Sequence, residues 1–313
     1  MDFQHIPVLF NETVESLHIK PDGVYADCTA GGGGHSAAIL ERLSEAGRLI
    51  AVDRDPDAVS NLSEKFSAYN NVSVVKENFS NIKTVFEKAE ISGADGILAD
   101  LGVSSYQLDN AERGFSFHKD APLDMRMSRE GKSAADVVNT YSERDLQRII
   151  SYYGEEKFAK SIARLIVAER EKRPFESTLQ LAETVKNAIP ARARREGGHP
   201  ARRTFQAIRI EVNGEIEILP EAIKNMFDLL RPGGILSIIS FHSLEDRAVK
   251  NTFKELCEGC TCPKDFPVCV CGKTPRGRLQ FKSAAPSEAE IAENPRARSA
   301  RLRSIIKIKN DIN

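Results

Sequence analysis

Four consecutive glycines, Gly31-Gly32-Gly33-Gly34, set the tightest limit on what this chain can fold into. They follow the short apolar run Val24 to Cys28 and precede a helical pattern with Ala37, Ala38, Ile39, Leu40 and Leu43 on its apolar side. A strand, a glycine turn and a helix N-terminus make a nucleotide-binding corner, because glycine allows positive φ and puts no Cβ between backbone and ligand. The helix start adds unpaired N–H groups. A glycine run by itself also serves as a plain turn, so the next carboxylate adds the weight. Twenty residues after Gly33, Asp53 ends a second strand signal, Arg48 to Asp53. At that offset it can accept both hydroxyl protons of an adenosine ribose. Asp27 bears on which nucleotide is bound, since a carboxylate just before the loop repels the pyrophosphate of NAD or FAD. S-adenosylmethionine has no phosphate and carries cationic sulfonium and α-amino groups. The acidic loop therefore favours a methyl donor.

At 313 residues the chain exceeds the size at which single cores stop growing, so one large domain with an insertion, or two domains, is expected. A net charge of −1 advertises no global affinity for nucleic acid, so any anion-binding surface must be local. No stretch approaches the ~20 apolar residues of a membrane helix, and Met1 to His5 is no signal peptide, which predicts a cytosolic protein.

The first half alternates strand and helix signals, as in a parallel sheet covered on both faces. A helix begins near Pro56, a third strand is Val72 to Val75, a helix spans about Asn81 to Ala89, and Ile97 to Asp100 is a buried strand. The strand ends thus deliver Asp27, Asp53, Phe79 and Asp100 to the edge where open α/β sheets bind ligands. Phe79 can pack on an adenine face or serve as a core aromatic. From 109 to 209 the alternation stops. Two ordered loops, Arg113 to Phe117 and Pro122 to Met127, precede helices over Ser142 to Tyr152, Glu155 to Glu171 and Ser177 to Pro190. The sheet pattern resumes with a helix from Glu215 to Leu230, the strand Ile235 to Ser240 and a closing pair, Arg278 to Phe281 and Arg301 to Lys307, read as a hairpin. The fold expected is α/β, a class I, Rossmann-like methyltransferase sheet over 1–108 and 210–313, with an inserted, mostly helical domain over 109–209.

These runs carry a resemblance. Asp27-Cys28-Thr29 through Gly33-Gly34-His35-Ser36, Ala51 to Asp55, Asp100 to Ser105 and Arg113 to Phe117 are joined by Pro122 to Met127 and Arg203 to Ala207. Ser240-Phe241-His242-Ser243-Leu244-Glu245-Asp246-Arg247 and Asn294 to Ser299 complete the set. In this order they resemble the bacterial small-subunit (16S) ribosomal RNA cytosine-N4 methyltransferases, the RsmH type, over nearly the whole chain. The resemblance implies donor contacts at Gly33, Gly34, His35, Asp53, Phe79, Asp100 and Gln107, and an RNA cytosine of the decoding region as substrate. The rivals are an amino methyltransferase acting on another RNA or on DNA, and a non-catalytic RNA-binding assembly factor; the donor-side carboxylates argue against the latter.

A cytosine N4 amino group is a poor nucleophile, because its lone pair is delocalised into the ring. Transfer needs the nitrogen held in line with the methyl and an acceptor for its protons. Asp100 can fill the acceptor role or contact the donor's amino group. Val103 cannot supply a stacking ring, which leaves Tyr106, Phe241 or His242. His242 also reads as a hydrogen-bonded strand-end residue. Attack by a thiolate is not expected, since nitrogen methylation needs none.

Five of the six cysteines fall between Cys257 and Cys271. C-x2-C-x-C followed by C-x-C offers enough thiolates for a tetrahedral zinc site, structural rather than catalytic, although C-x-C is less usual than C-x2-C. The alternative is a loop of reduced or adventitiously paired thiols. Six arginines, Arg192, Arg194, Arg195, Arg202, Arg203 and Arg209, fall within eighteen residues broken by Gly197, Gly198 and Pro200. They predict a mobile arm that grips RNA phosphates. A solvated charge run and a dimer contact remain alternatives, and oligomeric state is open.

Overall fold

The computed structural model describes residues 7–195, 198–263, 268 and 270–308. Met1 to His5, Gly197, Cys269 and the side chain of Arg195, all singled out above, lie outside the described residues. The chain divides into two compact units, Met1–Gly102 with Ile216–Asn313, and Val103–Glu215. The second begins and ends a few residues outside the 109–209 read from the sequence.

The first unit is built on a seven-stranded sheet: β1 (Val24–Asp27), β2 (Arg48–Asp53), β3 (Val72–Lys76), β4 (Ala94–Asp100), β5 (Leu230–Ser240), β6 (Gly277–Ala284) and β7 (Arg301–Lys307). The order is β3-β2-β1-β4-β5-β7-β6. Pairing is parallel from β3 through β5, while β7 runs antiparallel to both β5 and β6. Strand order reverses between β1 and β4, which opens a crevice at their C-terminal ends. β1 is buried throughout and β4 nearly so, as expected for central parallel strands covered on both faces. The closing pair is antiparallel, but its connection carries the helix Glu288–Glu293 and a 3-10 turn rather than a tight loop.

Local chemistry fixes the helices of this unit. Asp55 caps Pro56–Lys65 by accepting from Asp57 N at 3.0 Å, with proline at the first helical position. Helix Leu219–Leu229 buries Leu219, Ala222, Ile223, Met226 and Phe227 against β4 and β5. A serine thread crosses the antiparallel half: Ser16 Oγ lies 2.7 Å from Ser237 Oγ, which donates to Ser304 Oγ at 3.1 Å, which donates to Gln280 Oε1 at 2.7 Å. No helix of the described residues is long and apolar enough to cross a membrane.

The second unit is mainly helical. Its helices are Ser105–Asp109, Ala134–Thr140, Glu143–Tyr152, Ala159–Arg170, Thr178–Ala188 and Arg202–Asn213. Ser133, Ser142 and Ser177 each cap a helix by accepting a backbone N–H three residues on. The last helix had no start signal in the sequence: Ala201 provides no side-chain cap, and Arg202 and Arg203 oppose the helix dipole. The two loops are ordered by side chains. Arg113 Nη2 donates to the carbonyls of Arg126 (3.0 Å) and Met127 (2.9 Å), and Asn213 both donates to Met125 O and accepts from Met127 N.

Phe227 is fully buried in the core under β4 and β5. Phe227→Ala should lower the unfolding free energy by about 3–5 kcal/mol, measured in urea, through lost burial and the cavity left behind. A loss under about 1 kcal/mol would show that this core is loosely packed.

Candidate active site

The edge beyond β1, β2, β4 and β5 gathers four carboxylates. Asp27 at the end of β1 is 1% exposed; its Oδ2 accepts from Ser36 Oγ at 2.6 Å and its Oδ1 from Thr29 N at 3.2 Å. Asp53 at the end of β2 accepts from Gly31 N and Asp55 N, both at 2.8 Å. It therefore shapes the glycine turn, and its remaining lone pairs are left for a ligand. Asp100 at the end of β4 donates its own N–H to Thr29 Oγ1 at 2.5 Å, which ties the exits of β1 and β4 together. Its Oδ1 is shut off from solvent without a hydrogen-bond partner. Glu245 follows β5 and is 1% exposed.

These groups raise one another's pKa. Burial holds the Asp27 carboxyl up at about 6, with the Asp53 charge adding to it and the Ser36 and Thr29 bonds opposing it. Burial also raises Asp53. Asp100 is pushed well above the carboxylate range by burial and by the charges of Asp27 and Glu245. Among the described residues no positive group opposes these shifts at Asp27 or Asp100, whereas Arg54 draws Asp53 back down. At Asp27 and Asp100 such an edge suits a cationic ligand.

The glycine turn is built for its neighbours as well as for a ligand. Gly33 has φ 74° and caps the helix Gly34–Leu40; a Cβ there would stand 2.8 Å from Leu62 Cδ2. At Gly34 a Cβ would run into Pro7 Cγ at 2.3 Å. Lys65 Nζ donates to the carbonyls of Gly32 and Gly33, each at 3.0 Å, and so clamps the turn. His35 lies in the first turn of that helix, stacked on Phe10 with ring centroids 5.9 Å apart. Burial lowers its pKa to about 4, against a backbone hydrogen bond with Val8, and its buried Nε2 has no partner. Cys28 is buried and its thiol is pushed far up by burial, which makes a thiolate there unfavourable.

Phe79 opens a 3-10 turn after β3 and packs, half-buried, against the sheet core. His242 caps the helix Ser243–Cys257: its Nδ1 accepts from Glu245 N at 3.4 Å, and its Nε2 lies 3.0 Å from Glu245 Oε1 without hydrogen-bond alignment. Glu245 Oε2 accepts the N–H groups of Phe241 (2.7 Å) and His242 (3.2 Å). Glu245 is a residue whose role the sequence marks only indirectly. The signal was present in the spacing of a capping box, with histidine in the place of serine or threonine. Phe241 packs beside Val8, Leu9 and Ile239. Gln107 belongs to the second unit, where it completes a capping box by accepting from Ser104 N at 3.0 Å.

The cysteines sort unevenly. The sulfurs of Cys260, Cys262 and Cys271 all lie within 4.8 Å of one another, with Cys260 and Cys271 3.7 Å apart. Cys257 stays out of this trio; it ends its helix, where burial raises its pKa against a backbone hydrogen bond at Leu279. The arginines sort as well. Arg209 is committed to Glu215 through two bonds of 2.9 and 2.8 Å, so its fork is turned to the fold rather than to phosphates. Arg194 Nε donates to Ile189 O at 2.7 Å, and Arg203 Nη1 to Glu155 O at 3.2 Å.

A parallel sheet that switches direction beside a glycine turn, closes with an antiparallel β7 and presents unneutralised carboxylates at that switch defines a Rossmann-like, S-adenosylmethionine-dependent methyltransferase. The chain belongs to the MraW methylase family, whose sequence profile matches residues 2–308. It is similar to the ribosomal RNA small subunit methyltransferase H of Clostridium botulinum strain Loch Maree / Type A3, with 56% identity over 310 residues that cover 98% of this chain and 100% of the relative. The protein of that name from strain Kyoto / Type A2 is 55% identical with the same coverage.

Asp27 gives a pH signature with a definite sign. Its folded pKa of about 6 lies above the unfolded value near 3.8, so the folded state binds the extra proton and loses stability as pH rises through that window. Asp27→Asn removes this titration. The unfolding free energy of the variant, minus that of the parent, should grow by about 2–2.5 kcal/mol between pH 4 and pH 7. A difference that stays flat would mean that Asp27 is solvated.

Proposed function

We propose that the chain transfers a methyl group from S-adenosylmethionine to the exocyclic N4 of a cytidine in the decoding region of small-subunit (16S) ribosomal RNA, in the cytoplasm. One observation carries the donor: the buried Asp27 and the orphaned Asp100 Oδ1, with no cation opposing either among the described residues, suit a ligand bearing sulfonium and ammonium groups. The names of the relatives support the ribosomal RNA, and the runs that resemble the cytosine-N4 enzymes support the atom.

The bound donor supplies an electrophilic methyl group. Asp53 accepts the ribose hydroxyls with the lone pairs that Gly31 and Asp55 leave unused. Gly33, Gly34 and His35 line the turn, and Phe79 offers a ring to the adenine. Asp27 and Asp100, whose raised pKa values favour the protonated form without a ligand, ionise against the cationic groups of the donor and then face them with negative charge. Asp100 Oδ1 also accepts a proton from the target amino group as nitrogen gives up its lone pair. Glu245 holds the backbone of Phe241 and His242, the two ring-bearing residues at the end of β5. The second unit, with Arg192 and Arg202, binds the RNA.

Incubation of the protein with labelled donor and small-subunit RNA should yield N4-methylcytidine on nuclease digestion and mass spectrometry. Asp100→Asn should lower kcat by about a hundredfold or more, as loss of a charged acceptor does. Asp53→Ala should weaken donor binding by about 1.5–3 kcal/mol in calorimetry. Methylation at a ring carbon or a ribose, or an Asp100→Asn enzyme of unchanged kcat, would refute the assignment.

We propose in addition that Cys260, Cys262 and Cys271 supply three of the four ligands of a structural zinc ion. A tetrahedral zinc with Zn–S bonds of about 2.3 Å sets its sulfurs about 3.8 Å apart, and Cys260 and Cys271 stand at 3.7 Å. A disulfide would require about 2.05 Å. Val270 N donates to Cys262 Sγ at 3.4 Å, the kind of outer hydrogen bond that thiolate ligands receive. Protein purified without chelator should carry about one zinc per chain, and Cys260→Ser should lose it. Metal below about a tenth of an equivalent would end the idea.

A further inference from the structure

The second unit carries an aromatic stack that runs from its interior to its surface. Phe205, in the first turn of Arg202–Asn213, is 4% exposed and meets Phe117 edge-on, with centroids 5.1 Å apart and planes at 81°. Phe117 is half-buried and lies face to face with the exposed ring of His199, at 4.4 Å and 20°. His118, also exposed, leans against Phe117 at 4.9 Å. His199 is thus the outermost ring of a stack anchored in the core.

Its orientation is fixed. His199 Nδ1 accepts from Ala201 N at 3.2 Å, and Arg202 N donates to His199 O at 3.0 Å. The proton of the neutral ring therefore sits on Nε2. Burial, with the charges of His118 and Lys186, holds its pKa below the usual histidine value, while Glu183 opposes them, so the ring is neutral at pH 7. Cations stand in the adjoining sequence: Lys119 and Arg202 are exposed, and so is Arg192. Among the described residues neither the Arg192 nor the Arg202 guanidinium has an ion-pair partner.

A ring that only packs has both faces covered. Here a neutral, rigidly held imidazole stacks on Phe117, which Phe205 backs, and exposed cations adjoin it in the sequence. Single-stranded nucleic acid is bound in this way, by stacking bases on aromatic faces while basic side chains track the phosphates. We propose that His199, backed by Phe117 and Phe205, is a stacking platform for one unpaired base of the RNA substrate, with Arg192 and Arg202 on the adjoining phosphates. The proposal rests on the RNA reading above and adds the mode of recognition.

The test uses the full chain and two fluorescein-labelled probes read by anisotropy. One is a single-stranded RNA of about twelve nucleotides; the other is a ribose–phosphate chain of the same length without bases. His199→Ala should weaken binding of the RNA roughly tenfold and leave the abasic chain unaffected, and His199→Tyr should restore the RNA affinity. Equal affinities of His199→Ala and parent for the RNA overturn the proposal. An equal loss on both probes also overturns it, since the histidine would then only shape the arm. Sedimentation showing self-association that His199→Ala abolishes, with RNA affinity unchanged, assigns the face to a second copy and overturns it too. Methyl transfer separates the two readings: a parent protein that leaves small-subunit RNA unmodified defeats the function, whereas a His199→Ala protein that binds and methylates like the parent defeats only the platform.

Discussion

Like charge gathered at one sheet edge is the constraint on which the first unit depends. Asp27, Asp53, Asp100 and Glu245 arrive from four separate segments at one sheet edge, and Asp27 and Glu245 are almost fully buried. Their mutual repulsion is relieved by protons, by N–H donors and by Ser36. The fold must hold them there, because no arrangement of loose loops would keep like charges together against water. The thread from Asp100 N to Thr29 Oγ1 and the clamp of Lys65 on the glycine turn show how that is done. A cationic ligand then meets a surface already organised for it, which is the condition for electrostatic work without reorganisation.

Most of that edge was legible from residue order, since strand ends, offsets and glycine turns are local features. Asp27, Asp53 and Asp100 close apolar runs, and an apolar run that ends in a carboxylate announces its own position. Glu245 was hidden because its role lies in bonds to Phe241 and His242 that make sense only once β5 has placed that turn. Gln107 shows the reverse: in the folded chain its side chain closes a capping box, a duty that Ser104-x-x-Gln107 spacing already announces.

The second unit was less legible. Arg209 belongs to a charge run in sequence but to Glu215 in space, and nothing in composition separates a paired arginine from a free one. The helix Arg202–Asn213 starts against its own dipole, so only packing of Phe205, Ala207, Ile208 and Ile210 justifies it. Similarly, five clustered cysteines give no hint that Cys257 turns away from the other described thiols, because C-x2-C spacing on a helix end aims the two sulfurs differently.

The place of β7 has a consequence for how the protein is made. β7 lies between β5 and β6, yet among the described residues it comes last in sequence. During synthesis β5 is complete about sixty residues before β7 leaves the ribosome, and until then its outer backbone groups have no strand to pair with. At elongation rates of about 5–20 residues per second, that edge stands open for several seconds. An open apolar edge is the kind of surface on which chains aggregate. The nascent sheet therefore depends on its final strand both for its edge and for the serine thread through Ser237 and Ser304, and truncation near residue 300 should cost solubility before it costs the glycine corner.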